Sequence, residues 1–273
     1  MNKDFKFRLY PNKEQTVLIN KTFGCSKFIY NRFLALRKEQ YETDKTTVNY
    51  VACSKLLTGL KSELPWLREP DKFALQNSLR DLNTAYGNFF KESGYPHFKS
   101  KRDRRQSYRT TQNDGAIRVV GSTVKLSKLG WVKFAKSREV EGSIINATVS
   151  RTPTNKYYVS ICCDVEIKQL PQIHTAVGVD VGIKDFAVLS TGEAVPSLKA
   201  LSRSEAKLHR EQPQLSRKQK GSRNREKQRR KVASVYEKVD NRRKNFLHQT
   251  SSRLIKENQI ICLEDLNVKG MLK

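Results

Sequence analysis

The chain lacks any long apolar run: among its 273 residues no hydrophobic stretch approaches the roughly 20 residues that cross a bilayer. Its first ten residues interleave Lys3, Asp4, Lys6 and Arg8 where a secretory leader would be continuously apolar. A cytoplasmic protein is the expectation. Cys25, Cys53, Cys162, Cys163 and Cys262 are odd in number, scattered and never spaced C-x-x-C, which excludes a disulfide framework and a zinc knuckle and predicts reduced, mostly buried thiols. His97, His174, His209 and His248 share no spacing with acids or cysteines, so no histidine chemistry is assigned. There is no internal repeat. Acidic residues are scarce, 27 against 53 Lys and Arg, for a net charge of +26. That imbalance calls for a polyanionic partner, nucleic acid before membrane.

What is present suffices for about two domains, since 37% of the residues are hydrophobic. Phe5 to Leu9 alternates apolar and basic residues, the pattern of a half-buried strand ended by Pro11. Asn12 and Gln15 form a capping-box signature, so a helix starts there. Helical periodicity continues through Leu18, Cys25, Ile29, Phe33 and Leu36, and again through Phe73, Leu75, Leu79, Leu82 and Tyr86. From about Ala116 short alternating runs separated by Gly, Asn and Ser predict an antiparallel sheet or small barrel, which the strand near residue 7 could join. Leu170 to His174 reads as a linker. Strands follow around 176–180, 185–190 and 193–197, then long helical sequence, then a strand from Asn258 to Leu263.

Two carboxylates stand out in this basic chain: Asp180 within Gly178-Val-Asp-Val-Gly182, and Glu264 at the end of Ile260-Ile-Cys-Leu263. Each closes an apolar strand, and the order strand, hairpin, helices, strand is that of a ribonuclease H-like core. Such cores hold divalent ions between carboxylates to hydrolyse phosphodiesters, and Mg²⁺ suits hard oxygen ligands. Asp180 and Glu264 are the candidate catalytic and metal-binding residues. A Gly-x-Asp-x-Gly segment is also a plain strand-to-turn, and it resembles the phosphate-binding start of sugar kinases and actin-like ATPases. Those proteins need a second phosphate loop and a longer chain.

Between Lys199 and Lys231 stand thirteen Lys or Arg against Glu205, Glu211 and Glu226. A helix so charged repels itself unless an acidic partner covers it. Its lack of aromatics favours phosphate contacts over base reading, with Arg217, Lys218, Lys220, Arg223, Arg225, Arg229 and Arg230 as the expected contacts. Gly94 to Tyr108 mixes aromatic and basic residues, as single-strand or duplex-end contacts require; Lys99, Arg102, Arg104 and Arg105 are its backbone candidates.

Read together, Phe7-Arg-Leu-Tyr-Pro-Asn-Lys-Glu-Gln15, Phe73-Ala-Leu-Gln-Asn-Ser-Leu79, Gly178-Val-Asp-Val-Gly-Ile-Lys-Asp-Phe-Ala187 and Leu263-Glu-Asp-Leu-Asn-Val-Lys-Gly-Met-Leu272 make the whole chain resemble the TnpB (OrfB) family. These proteins are encoded by insertion sequences and long described as transposases. The resemblance implies an RNA-guided, Mg²⁺-dependent DNA endonuclease, similar to compact type V CRISPR effectors, with guide RNA and target DNA as partners. It implies an α+β fold: a small wedge β-barrel (1–12 and 115–170), a helical recognition insertion (13–114), and a ribonuclease H-like, RuvC-type α/β core (171–273). It also implies that Lys72, Gln76, Tyr50 and Ser54 contact the short DNA motif flanking the target, with Asn113 beside them. Gln pairing with adenine and Lys with guanine make that chemically reasonable.

The family continues beyond Glu264 through a zinc ribbon and a third catalytic Asp, whereas Lys273 lies nine residues after Glu264. The expectation is therefore a C-terminally truncated copy with an incomplete nuclease core and impaired cleavage, unless Asp185 or Asp265 replaces the missing ligand. The alternative is a non-cleaving, RNA-guided regulator or repressor. Direct transposition is disfavoured by the lack of a recombinase-type Tyr or Ser motif.

Overall fold

The computed structural model describes residues 1–91, 94–101, 103, 106–167, 171–182, 184–199 and 202–264. They fall into two compact units, Met1–Ile167 and Lys168–Lys273. The first holds β1 (Asn2–Tyr10), α1 (Lys13–Asp44), α2 (Tyr50–Glu63), a 3-10 turn at Pro65–Arg68 and α3 (Lys72–Phe89). Six strands complete it: β2 (Gln106–Thr111), β3 (Arg118–Val120), β4 (Thr123–Leu126), β5 (Gly130–Ala135), β6 (Ser143–Arg151) and β7 (Tyr157–Asp164).

These strands form one antiparallel sheet in the order β2-β6-β7-β1-β5-β4-β3. The first strand in sequence thus lies in the middle, where Phe7 faces Val159 of β7 and Leu9 faces Phe134 of β5. Its alternation works as expected: Phe5, Phe7 and Leu9 are buried while Lys6 and Tyr10 are exposed. One hydrophobic core joins these residues to Tyr108, Val124, Val132, Val149 and Ile161. Where a sheet or small barrel was expected, the described residues form this sheet, and its two ends, β2 and β3, are not paired with each other among them.

One boundary moves. Gln106–Thr111, assigned from sequence to the helical insertion, is a strand paired along its whole length with β6. Tyr108 and Thr110 are buried between more exposed neighbours, so the period of two was present. Its mixed basic and aromatic composition masked it.

Helix α1 starts on the reciprocal capping box of Asn12 and Gln15. The Gln15 amide also donates to the carbonyls of Leu129 and Trp131, at 3.1 and 2.9 Å, which ties the helix start to β5. Ile19 and Phe23 enter the sheet core. Farther along, Cys25, Ile29, Tyr30, Phe33 and Leu34 meet α2 and α3 in a second core with Cys53, Leu57, Leu75, Leu79 and Leu82.

The α3 N-terminus is locked to the sheet by Asp71, only 2% exposed. Its carboxylate accepts from the Phe73 backbone N–H, the Thr110 hydroxyl on β2 and the Ser127 hydroxyl at 3.0 Å after β4.

The second unit holds β8 (Ala176–Asp180), β9 (Asp185–Leu189), β10 (Ala194–Pro196), α4 (Ser202–Arg217), α5 (Arg223–Glu257) and β11 (Ile260–Leu263). Its sheet order is β10-β9-β8-β11, antiparallel except for the β8–β11 pair. Val177, Val179, Ala187, Leu189 and Val195 pack on Leu254 and Phe246 of α5. Nearer the helical turn, Leu208 and Leu215 meet Val232 and Val235, and the buried Gln228 amide donates to Glu211 at 2.7 Å. Cys25, Cys53 and Cys163 are buried, Cys162 is partly so, and Cys262 is exposed. Among the described residues no helix is long and apolar enough to cross a membrane.

Asp71→Ala leaves the buried Thr110 hydroxyl and the half-buried Ser127 hydroxyl without their acceptor and removes a helix cap, so a loss of about 3 kcal/mol is expected. Urea denaturation followed by circular dichroism checks it; an unchanged midpoint would rule out this lock.

Candidate carboxylate pair and nucleic-acid surfaces

The register between β8 and β11 brings the two sequence-predicted carboxylates together. Ile260 to Leu263 pair in parallel with Ala176 to Val179, ending on Leu263 opposite Val179. Asp180 and Glu264 are the next residue of each chain, on strands about 4.8 Å apart. Parity puts both on the sheet face opposite Val177, Val179 and Ile261, which face the core. Both are exposed.

The pair is held from behind. The Gly178 N–H donates to the Ser190 hydroxyl at 3.0 Å, and the Ser190 N–H returns a bond to the Gly178 carbonyl at 2.8 Å. Thr175 donates to the Glu257 carbonyl at 2.7 Å and accepts at its own carbonyl from the Gln259 N–H, so the starts of β8 and β11 are fastened side by side. Two exposed carboxylates on one sheet face are a donor set fit for a hard divalent cation. Among the described residues no group of three or more His, Cys, Asp or Glu side chains gathers to hold a metal. Asp185 opens β9; Asp265 lies outside the described residues.

In the first unit, α2 and α3 carry Tyr50, Ser54, Lys72 and Gln76. Lys72, Gln76 and Arg80 recur every fourth residue along one face of α3. The Arg80 guanidinium lies over the Tyr50 ring and donates to its hydroxyl at 3.4 Å. At the other end of the pair Lys61 faces Lys72, and burial first and that neighbouring charge second push the Lys61 pKa down. The two helices therefore run antiparallel and build one strip from the four predicted residues plus Lys61 and Arg80. Those two were missed, although Arg80 continues the Lys72–Gln76 spacing. Asn113 sits in the turn after β2, exposed, its side chain donating to Asp114. Among the described residues no hydrogen bond joins it to the α2–α3 strip.

The basic segments divide by use. Lys99 rests its ammonium 3.9 Å from the Tyr30 ring centroid, and its backbone is gripped by Asn31. Burial lowers its pKa, opposed by Asp81. Arg102, Arg104 and Arg105 lie outside the described residues. In the second unit Arg217, Lys220 and Arg223 crowd, exposed, at the turn between α4 and α5, where Gly221 takes a φ of 88° and Ser222 caps α5. Lys218 is half-buried there.

Arg225, one of the expected phosphate contacts, also has a structural part. Its Nη1 donates to the carbonyls of Leu215 and Lys218, at 2.7 and 2.8 Å, closing the end of α4. Arg229 grips Glu226 with two bonds of 2.9 and 2.8 Å, and Arg230 approaches the same carboxylate at 3.5 Å. The hydrogen bond from Arg229 holds the Glu226 carboxyl below its usual range. Two cations sharing one anion keep a net positive charge.

Comparison with known proteins places this architecture. The Cas12f1 chain of a complex with sgRNA and target DNA shares the fold, with a TM-score of 0.57 over 97% of this chain and 81% of that one at 12% identity. Residues 160–273 match a family described as "Probable transposase", OrfB of IS605. Residues 1–46 match one described as a helix-turn-helix domain, although here they form β1 and the single continuous helix α1. A Streptomyces pristinaespiralis protein named "Putative RNA-guided DNA endonuclease" is 38% identical over 98% of this chain and 68% of its own length. Escherichia coli K12 "Putative RNA-guided DNA endonuclease InsQ" is 34% identical over 98% of this chain and 67% of its own. The chain belongs to the TnpB (OrfB) family of insertion-sequence proteins.

The structural bonds of Arg225 and the phosphate contact expected of Arg223 are separable. Arg225→Ala is expected to cost about 1 to 2 kcal/mol of stability, seen in thermal melting, while Arg223→Ala leaves the melt unchanged. Arg223→Ala in turn should flatten the log–log salt dependence of nucleic-acid binding by about 0.7 to 0.9. Interchanged effects would contradict this division.

Proposed function

We propose that this chain is an RNA-guided, DNA-binding nuclease-type protein of a mobile element, with Asp180 and Glu264 as its metal-binding carboxylates. The observation that carries the reading is the β8–β11 register, which sets two acids side by side in a chain of net charge +26. Three antiparallel strands followed, after two helices, by a parallel fourth beside the first support a ribonuclease H-like, RuvC-type core. The seven-stranded sheet and the helices after β1 support a wedge barrel with a recognition insertion.

Bound Mg²⁺ would supply charge neutralisation at a phosphodiester and an activated water. The chain's own residues do the rest. Asp180 and Glu264 would hold the cation. The α2–α3 strip, through Lys72 and Gln76 with Tyr50 and Ser54, reads the DNA motif flanking the target, and Asn113 contributes from its turn. The exposed cations at the α4–α5 turn hold phosphates. Sequence choice beyond the motif falls to pairing between guide RNA and target DNA. With Asp180 and Glu264 as the two acids set side by side among the described residues, weak Mg²⁺ binding and weak cutting are proposed.

Sequencing of RNA that co-purifies with the chain, together with a plasmid cleavage assay in Mg²⁺, tests this. A discrete bound RNA with weak or no cutting is expected. Absence of any discrete RNA would overturn the guided reading, and robust cutting would overturn the impairment. Lys72→Ala/Gln76→Ala should relax the preference for the flanking motif by about tenfold or more, measured by competition between duplexes with and without it. Equal loss on both duplexes would remove these residues from motif reading.

A further inference from the structure

Where α1, α3 and β2 meet, the first unit encloses a cavity of about 350 Å³ that has no part in the reading above. Ser26 and Lys27 line it from α1, Asn77 and Asp81 from α3, and Lys99 and Asp103 from the chain before β2. Each helix contributes neighbours three and four residues apart, so one face of each forms a wall. The walls are fastened without a ligand. The Asn77 amide donates to the Arg109 carbonyl at 2.8 Å, the Arg109 guanidinium is paired with Asp81 at 2.9 Å, and the Lys27 ammonium donates to the Ser100 carbonyl at 2.8 Å.

The polar groups on this cavity are not spent on one another. Ser26 is 7% exposed, and among the described residues its hydroxyl has no hydrogen-bond partner. The hydroxyls of Thr22 on the same helix and of Ser78 on α3 instead donate to the carbonyl four residues back, at 2.8 and 3.0 Å. A buried hydroxyl left unpaired destabilises the fold, and an acceptor on a ligand would remove that cost. Among the described residues neither Lys27 nor Lys99 is ion-paired. Burial lowers the pKa of both, Asp103 opposes it, and the charge of Lys27 adds to the lowering of Lys99. Two neighbouring ammonium groups partly withdrawn from water are favoured by an anion beside them. Asp81 and Asp103 each bond through one carboxylate oxygen, to Arg109 and to the Ser100 N–H, which leaves a second oxygen for a ligand hydroxyl.

We propose that this cavity binds a small free sugar phosphate, its phosphate held by Lys27, Lys99 and the Ser26 hydroxyl and its hydroxyls by Asp81 and Asp103. Two cations and an unspent donor call for an oxyanion, and a phosphate offers acceptors in several directions at once. The two carboxylates define the other half of the ligand. They accept from hydroxyls and repel further negative charge, in a chain whose acids are outnumbered 27 to 53. That pairing selects one phosphate carrying a polyol over a backbone of successive phosphates. A cavity of this volume holds one such molecule. Lys99 then serves the cavity rather than a nucleic-acid backbone, and the site stands independently of the nucleic-acid reading.

The test uses the full chain stripped of co-purifying nucleic acid, with isothermal titration calorimetry against glucose 6-phosphate, inorganic phosphate, sulfate and glucose at one ionic strength. Glucose 6-phosphate should bind about fivefold or more tighter than either inorganic anion, and glucose should not bind. Lys27→Ala/Lys99→Ala should weaken glucose 6-phosphate about tenfold or more. Lys13→Ala/Lys91→Ala, which removes two exposed lysines that do not line the cavity, should leave its affinity within about twofold. Ser26→Ala separates a binding role from a structural one. It should melt no lower than the unmutated chain, because the unpaired hydroxyl is gone, yet lose part of the rise in melting temperature that glucose 6-phosphate gives. Equal affinity for the three anions, no binding of glucose 6-phosphate, or unchanged binding in Lys27→Ala/Lys99→Ala overturns the inference. So does a Ser26→Ala chain that melts lower and keeps the full ligand-dependent rise. Competitive displacement of glucose 6-phosphate by a thymidine homopolymer would give the cavity to nucleic acid and overturn it as well.

Discussion

The parallel pairing of β11 with β8 is the contact on which the proposed carboxylate site of the second unit depends. The two strands are separated in sequence by a hairpin and two helices, and they meet only because α5 packs Leu254 and Phe246 beneath the sheet and then turns directly into β11. Register matters more than proximity. A slip of one residue would send Glu264 to the core side of the sheet, and the bonds from Thr175 to Glu257 and Gln259 hold the register at its start. Beyond β11 the described sheet has no further strand, and Leu263 is 66% exposed.

The first unit solves a different problem, presenting two surfaces from two cores. β1 sits at the centre of the sheet and must pair on both sides with strands more than a hundred residues away. Its inward residues organise the hydrophobic core and its outward ones the opposite sheet face. Helix α3 is likewise two-sided, with Leu75, Leu79 and Leu82 in the helical core and Lys72, Gln76 and Arg80 turned out. Asp71 fixes where that helix begins, and so where the outward strip stands relative to the sheet.

Much of this was legible because local patterns carried it. The capping box at Asn12, the alternation of β1, the helical stripes and the four strands that build the second sheet all follow from spacing alone. Asp180 and Glu264 could be singled out as acids at strand ends, although nothing local says that the strands are neighbours. Other features depend on tertiary partners and left no local mark. Gln106–Thr111 read as part of the helical insertion, and only its pairing with β6 makes it a strand of the sheet. Arg225 looked like its neighbours in a cationic run, and only the carbonyls of Leu215 and Lys218 distinguish it. The link between Arg80 and Tyr50 needs the α2–α3 turn to close before it exists.

The central claim is that Asp180 and Glu264 act as one metal site. Mn²⁺ binding followed by electron paramagnetic resonance tests it without reference to cleavage, in the unmutated chain, Asp180→Asn, Glu264→Gln and the double variant. Each single change should weaken binding at least about tenfold, and the double should be little worse than the worse single, as expected of groups sharing one ion. Additive losses, or a single variant that binds Mn²⁺ as well as the unmutated chain, would contradict a shared site.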